Sequence, residues 1–140
     1  MCNIRKREIE NSTANTLNET DPMRAARRAR RTLEMLSVCE EDLRHDVDFY
    51  MLAAANDRIL GAQADAEAMY AKGLELDRRP ELYYGLGSVQ LEQGKTSAAV
   101  ASFVNAVTFN REMMNDVPSA IRPQVLAIVQ RNFPYLGINQ

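Results

Sequence analysis

The chain has a single histidine, His45, and this residue is the first candidate for chemistry. Asp46 and Asp48 follow it, and Cys39 lies six residues before it. An imidazole beside carboxylates can exchange protons or help to hold a metal ion. A second histidine is missing and the spacing matches no known ligand set, so a solvated helix face is the better interpretation. We predict no metal site and no cofactor.

Two glycine-containing segments resemble fragments of nucleotide-binding loops. Gly94-Lys95-Thr96 lacks the glycine that a phosphate-binding loop needs five residues earlier, where Val89 stands. Gly85-Leu86-Gly87 lacks the third glycine of a dinucleotide fingerprint, because Gln90 occupies that position. No serine or cysteine nucleophile is paired with a base, and no two carboxylates share an apolar setting. The sequence therefore predicts a protein that is not an enzyme.

Composition describes the body that must position these residues. The 140 residues are 46% hydrophobic and 26% charged, with a net charge of -2, which indicates a soluble globular protein without a membrane span. Residues 1–20 are polar and are predicted as a disordered tail, 21–133 as one helical domain and 134–140 as a C-terminal tail. Cys2 and Cys39 are predicted as free thiols, and the location as cytoplasmic, because no apolar segment follows the basic N-terminus.

Apolar residues recur every three or four positions along most of the chain, and no segment alternates as a strand does. Asp21-Pro22 opens the first predicted helix, and Gly61 and Gly94 end later ones. The fold class is therefore all-α. The predicted helices cover residues 22–38, 41–60, 64–76, 81–93, 97–109 and 115–132.

Residues 80–113 contain a set of bulky and small residues at characteristic spacing: Tyr83, Leu86, Gly87, Gly94, Ala99, Phe103 and Ala106. This set resembles the tetratricopeptide repeat (TPR) family, from which Gln90 and Arg111 depart. Residues 47–79 are similar to a weaker copy, with one residue fewer. Small residues let helices approach closely, aromatic residues fill the space beside them, and helix pairs too thin to bury both faces stack. The resemblance implies a short helical solenoid with an N-terminal helix and a C-terminal capping helix.

In that family the first helix of each pair lines a concave groove that receives a peptide or helix of a partner. Transferred by position, the groove residues are Asp48, Met51, Ala55, Arg58, Ile59, Glu81, Tyr84, Ser88, Leu91 and Glu92. Apolar and acidic side chains dominate this set, which favours a basic or amphipathic ligand. Tyr84 and Arg58 are the preferred contacts. For Met51 and Ile59, packing against the terminal helices is an equal alternative.

Arg24, Arg27, Arg28 and Arg31 form a basic stripe at helical spacing. Such a stripe can contact phosphates of a nucleic acid or of an anionic surface, or it can pair with acidic groups of its own chain. No aromatic residue accompanies it, so nucleic-acid binding is the alternative rather than the leading interpretation.

The sequence thus predicts an adaptor or chaperone-like module that binds a protein partner in the groove. A small secretion-type chaperone is a related interpretation. Self-association is a further expectation, because two repeats leave apolar ends exposed unless something covers them.

Overall fold

The structure, a computed structural model, describes residues 6–132, and the predicted tail at 134–140 lies outside this range. Every regular element within it is a helix, which confirms the all-α prediction. The elements are α1 (Lys6–Leu17), α2 (Pro22–Leu43), α3 (Val47–Ile59), α4 (Gln63–Leu76), α5 (Pro80–Glu92), α6 (Thr96–Phe109), a 3₁₀ helix (Arg111–Asp116) and α7 (Arg122–Asn132). None of the helices in residues 6–132 is long and apolar enough to cross a bilayer.

The chain divides between Asp77 and Arg78 into two compact units, although the sequence predicts one domain over 21–133. The first unit contains α1 to α4, and α3 packs against each of the other three helices. The second unit contains α5, α6, the 3₁₀ helix and α7, with α6 in contact with the other elements. Each unit has its own apolar cluster.

The N-terminal segment differs from its prediction, because residues 6–17 form helix α1 and not a disordered tail. Ile9 is 1% exposed and packs in the cluster of the first unit. Thr13 and Thr16 are also buried, and the Asn56 side-chain amide donates to Thr13 Oγ1 at 3.0 Å. The polar composition was misleading, because buried threonines with hydrogen-bond partners can line a helix interface as apolar residues do.

The first predicted boundary between helices also shifts. Helix α2 continues to Leu43, and α3 begins only at Val47. Asp46 caps α3, since its Oδ1 accepts a hydrogen bond from the Asp48 backbone N–H at 3.0 Å. The Tyr50 hydroxyl donates to the Arg44 carbonyl at 2.9 Å and holds the intervening turn.

Helices α3 and α4 form one hairpin and α5 and α6 another, and both close in the same way. Gly61 and Gly94, 33 residues apart, have φ of 74° and 77°, which a glycine adopts without strain. The Ala62 N–H donates to the Asp57 carbonyl at 2.9 Å, and the Lys95 N–H donates to the Gln90 carbonyl at 2.9 Å. Each position of the first turn therefore has a counterpart 33 residues later in the second.

The end of the second unit departs from the predicted helix at 115–132. Residues 111–116 are a 3₁₀ helix, and α7 starts at Arg122. Pro118 cannot donate a backbone hydrogen bond, so a helix is interrupted there. The guanidinium of Arg122 donates to the Val117 carbonyl at 2.7 Å and to the Asn115 carbonyl at 3.3 Å, which satisfies carbonyls left by the interruption.

Cys39 lies fully buried on α2 and is disulfide-bonded. The prediction of free thiols is therefore wrong for this residue. The chain's other cysteine, Cys2, lies outside the described residues. A spacing of 37 residues between two cysteines gives no pattern from which a disulfide can be read, which is why the sequence alone did not indicate it.

Candidate functional site

The predicted groove residues fall on matching positions of α3 and α5. Each of the five residues on α3 has its counterpart 33 positions later on α5. Three pairs are partly buried in both hairpins: Met51 with Tyr84, Ala55 with Ser88, and Arg58 with Leu91. We call these six residues the hairpin face. The same side of the first helix stays partly open to solvent in each hairpin.

The other four groove residues differ in exposure, since Asp48 and Ile59 are partly buried whereas Glu81 and Glu92 are exposed. Asp48 forms an ion pair with Lys6 of α1, whose Nζ also lies 3.6 Å from Asp46 Oδ2. The hydrogen bond to Asp48 raises the pKa of Lys6; the charges of both aspartates add to this, and burial opposes it. Asp48 therefore has a cationic partner within its own unit.

Tyr84 makes its contacts inside the second unit. Its ring packs edge-to-face on Phe103, with the centroids 5.4 Å apart, and its hydroxyl donates to the Asp116 carbonyl at 3.0 Å. Leu91 packs against the same apolar cluster. The Ser88 hydroxyl donates to the Tyr84 carbonyl within α5 at 2.9 Å. These side chains support the unit, and their contact with a partner stays a prediction.

His45 is exposed in the turn between α2 and α3. Among residues 6–132, no three histidine, cysteine, aspartate or glutamate side chains are grouped so that they could hold a metal ion. The residues first considered for metal or acid–base chemistry are thus not brought together as a site in this part of the chain.

The arginine stripe is divided by ion pairs at the start of α2. Arg24 Nε lies 3.2 Å from Asp21 Oδ2 and 3.6 Å from Glu19 Oε1, and Arg28 lies 3.8 Å from Glu19 Oε2. Arg27 is exposed and has no ion pair within residues 6–132. Arg28 and Arg31 line a cavity of about 490 Å³ between α1 and α2, which Glu8 also lines. The stripe therefore presents mixed charge and not a purely basic surface.

A second cavity, of about 200 Å³, lies in the first unit among α2, α3 and α4. Its lining includes the apolar side chains Leu33, Phe49 and Met69 and the acidic residues Glu40, Asp57 and Asp65. Asp57 is only 8% exposed, whereas Glu40 and Asp65 are exposed. Burial raises the pKa of the Asp57 carboxyl to about 6, and the negative charge of Asp65 contributes to this rise.

Sequence reasoning did not single out Asp57. It lies between residues assigned to the groove, on a different side of α3, and a lone aspartate in a helix gives no signal of its own. The usable signal is the 33-residue correspondence, which pairs Asp57 with the buried Gln90 and so predicts a buried carboxyl.

The hairpin face, the arginine stripe and the acidic cavity are the features from which a function can be inferred. No family model, curated protein or solved structure matches the chain.

Proposed function

We propose that this protein is a non-enzymatic protein–protein interaction module, adaptor or chaperone-like, which binds a peptide or an amphipathic helix of a partner through the hairpin face. The observation that carries the proposal is the recurrence of this face. Its three residue pairs are partly buried in both hairpins, and the hairpins close with the same backbone hydrogen bonds. Recurrence of one open side at a spacing near that of stacked helix pairs is typical of repeat proteins that bind partners.

The side chains of this face suit an amphipathic ligand. Met51 and Leu91 offer adaptable apolar surface, and Tyr84 offers an aromatic ring edge with a polar tip. Glu81 and Glu92 are exposed beside the face on α5 and favour basic groups on the partner. The cytoplasmic location belongs to the proposal as well.

The test compares arginine substitutions at matched positions. Ala55→Arg and Ser88→Arg place a long charged side chain on the face of α3 and of α5. Ala68→Arg and Ala101→Arg place the same side chain at exposed positions of α4 and α6, also 33 residues apart. Tagged proteins are used for affinity capture from a lysate of the source organism, and the retained proteins are identified. Melting temperatures confirm that each variant is folded.

We expect a defined protein to be retained by the unchanged chain and by both control variants, and lost with Ala55→Arg and Ser88→Arg. Equal retention by all four variants would contradict the proposal. Nuclease treatment and Arg27→Glu test the alternative that the arginine stripe binds nucleic acid or an anionic surface. That alternative has weaker support, because Arg24 and Arg28 pair with Glu19 and Asp21.

A further inference from the structure

The carboxyl group of Asp57 is buried without a partner. The residue is 8% exposed, and its side chain makes no hydrogen bond or ion pair with any other residue of the described range. The one charged group that acts on it is Asp65, which has the same sign. A buried carboxylate is normally paired or hydrogen-bonded, because taking an ionised group out of water is costly. This cavity therefore lacks a positive charge that its chemistry calls for.

The second hairpin shows what the same position looks like when it is satisfied. Gln90 corresponds to Asp57 at the 33-residue spacing, and the closing turns place both carbonyls in the same hydrogen bond. The Ser102 hydroxyl donates to Gln90 Oε1 at 2.6 Å. Met69 stands in the first hairpin where Ser102 stands in the second. The first hairpin has thus replaced a neutral amide by a carboxyl and its donor by a thioether.

The walls of the cavity indicate what kind of cation fits. Leu33, Phe49 and Met69 are apolar and cannot coordinate a metal ion, and the described residues hold no cluster of three metal-ligating side chains. Apolar walls above a carboxylate suit a cation carried on an aliphatic stem, as in lysine and arginine side chains. The volume of about 200 Å³ exceeds that of a cavity of roughly 150 Å³ known to accept a benzene ring.

We propose that the cavity among α2, α3 and α4 binds an organic cation, an alkylammonium or alkylguanidinium group, with Asp57 as its anionic partner and Leu33, Phe49 and Met69 around the stem. Asp65 and Glu40 at the exposed rim attract the same charge. The cation is supplied either by a free aliphatic amine or by a lysine or arginine side chain of a protein. This site is separate from the hairpin face, because it uses Phe49, Ala53 and Asp57 of α3 and none of the six face residues.

The test uses small probes on the full chain in solution. Backbone amide signals are recorded by NMR during titration with n-butylammonium, n-butylguanidinium and, as a neutral control, n-butanol. We expect both cations to shift amides of α2, α3 and α4 around the cavity in a saturable manner, and n-butanol to bind at least about tenfold more weakly. Binding of the cations should weaken when the pH falls below about 6, because Asp57 is then protonated.

Two substitutions decide the role of Asp57. Asp57→Asn keeps the shape and removes the charge, and we expect the affinity for both cations to fall about tenfold or more. Asp116→Asn removes one charge from an exposed position of the second unit and should leave the affinity unchanged. The proposal is overturned if n-butanol binds as well as the cations, or if Asp57→Asn binds them as tightly as the unchanged chain.

A competition experiment distinguishes the two sources of the cation. A blocked pentapeptide with one lysine among glycines is compared with the same peptide carrying norleucine. Displacement of n-butylammonium by the lysine peptide alone assigns the site to a protein side chain. Binding of the free amines without displacement by the peptide assigns it to small amines. Neither arm requires a partner protein, so failure of the hairpin-face proposal would leave this one standing.

Discussion

The hydroxyl of Tyr84 donates a hydrogen bond to the backbone carbonyl of Asp116 at 3.0 Å, and this bond links α5 to the end of the 3₁₀ helix. The ring of the same residue packs edge-to-face against Phe103, which is fully buried. Tyr84 is therefore a structural residue of the second unit as well as a predicted partner contact. Any effect of its substitution on binding has to be separated from an effect on stability.

Substitution of Tyr84 should destabilise the protein in two steps. Tyr84→Phe removes only the hydroxyl, and we expect a loss of about 1 kcal/mol in the free energy of unfolding. Tyr84→Ala also removes the ring contact with Phe103, and we expect a loss of about 2–3 kcal/mol because the residue is partly buried. The sequence alone predicts nearly unchanged stability for Tyr84→Ala. Denaturant unfolding measures both values, with exposed Glu81→Ala as the control, and a loss below 0.5 kcal/mol for Tyr84→Ala would support the sequence-based expectation ~.

Helix α1 should contribute measurably to the first unit. Ile9 is buried in the apolar cluster with Leu36 and Phe49, so Ile9→Ala should lower the free energy of unfolding by about 2–3 kcal/mol. Leu17 lies on the same helix and is 63% exposed, and Leu17→Ala should cost less than about 0.5 kcal/mol. Equal effects of the two substitutions in denaturant unfolding would show that α1 does not pack as described.

Gly87 should not tolerate a methyl group. A Cβ atom at this position would lie 3.0 Å from the ring of Phe103, whose fully buried side chain has no free space into which to move. Overpacking of this kind costs about 1–3 kcal/mol, whereas alanine in a helix gains at most about 1 kcal/mol over glycine. We therefore expect Gly87→Ala to be destabilising by about 1 kcal/mol. The melting temperature of this variant measures the balance, and an increase would mean that Phe103 can shift.

The two hairpins were predictable because their sequence signals are local. Helix α4 was predicted from 64 and observed from Gln63, and α6 was predicted from 97 and observed from Thr96. The turn glycines Gly61 and Gly94 mark the ends of the preceding helices through their positive φ values, which depend on the residue type alone. Close approach at Gly87 also follows from the small residue and from an aromatic partner at helical spacing.

Helix α1 and the acidic cavity were not predictable in the same way, because both depend on contacts between distant residues. Thr13 is stabilised by Asn56, 43 residues later, and no local pattern announces such a pair. The character of Asp57 depends on Met69, which stands where a hydrogen-bond donor stands in the other hairpin. A polar residue becomes a candidate site only when its neighbours in the fold fail to satisfy it.

The raised pKa of Asp57 should make the stability of the first unit depend on pH. Its carboxyl has a pKa of about 6 in the folded chain and its ordinary value near 3.8 in the unfolded chain. Between these values the folded state binds more protons, so stability is highest with respect to this group below pH 4 and falls as the pH rises through about 6. A shift of two units corresponds to roughly 3 kcal/mol, and access of water to the cavity reduces the expected effect to about 1–2 kcal/mol.

Asp57→Asn removes this penalty, because the amide carries no charge at any pH. We expect the variant to be more stable than the unchanged chain by about 1–2 kcal/mol at pH 7.5 and about equally stable at pH 4. Denaturant unfolding at the two pH values measures the difference, and Asp116→Asn serves as the exposed control. A variant that is less stable at pH 7.5 would show that the carboxylate is already compensated within the fold, and it would remove the reason for a cation in the cavity.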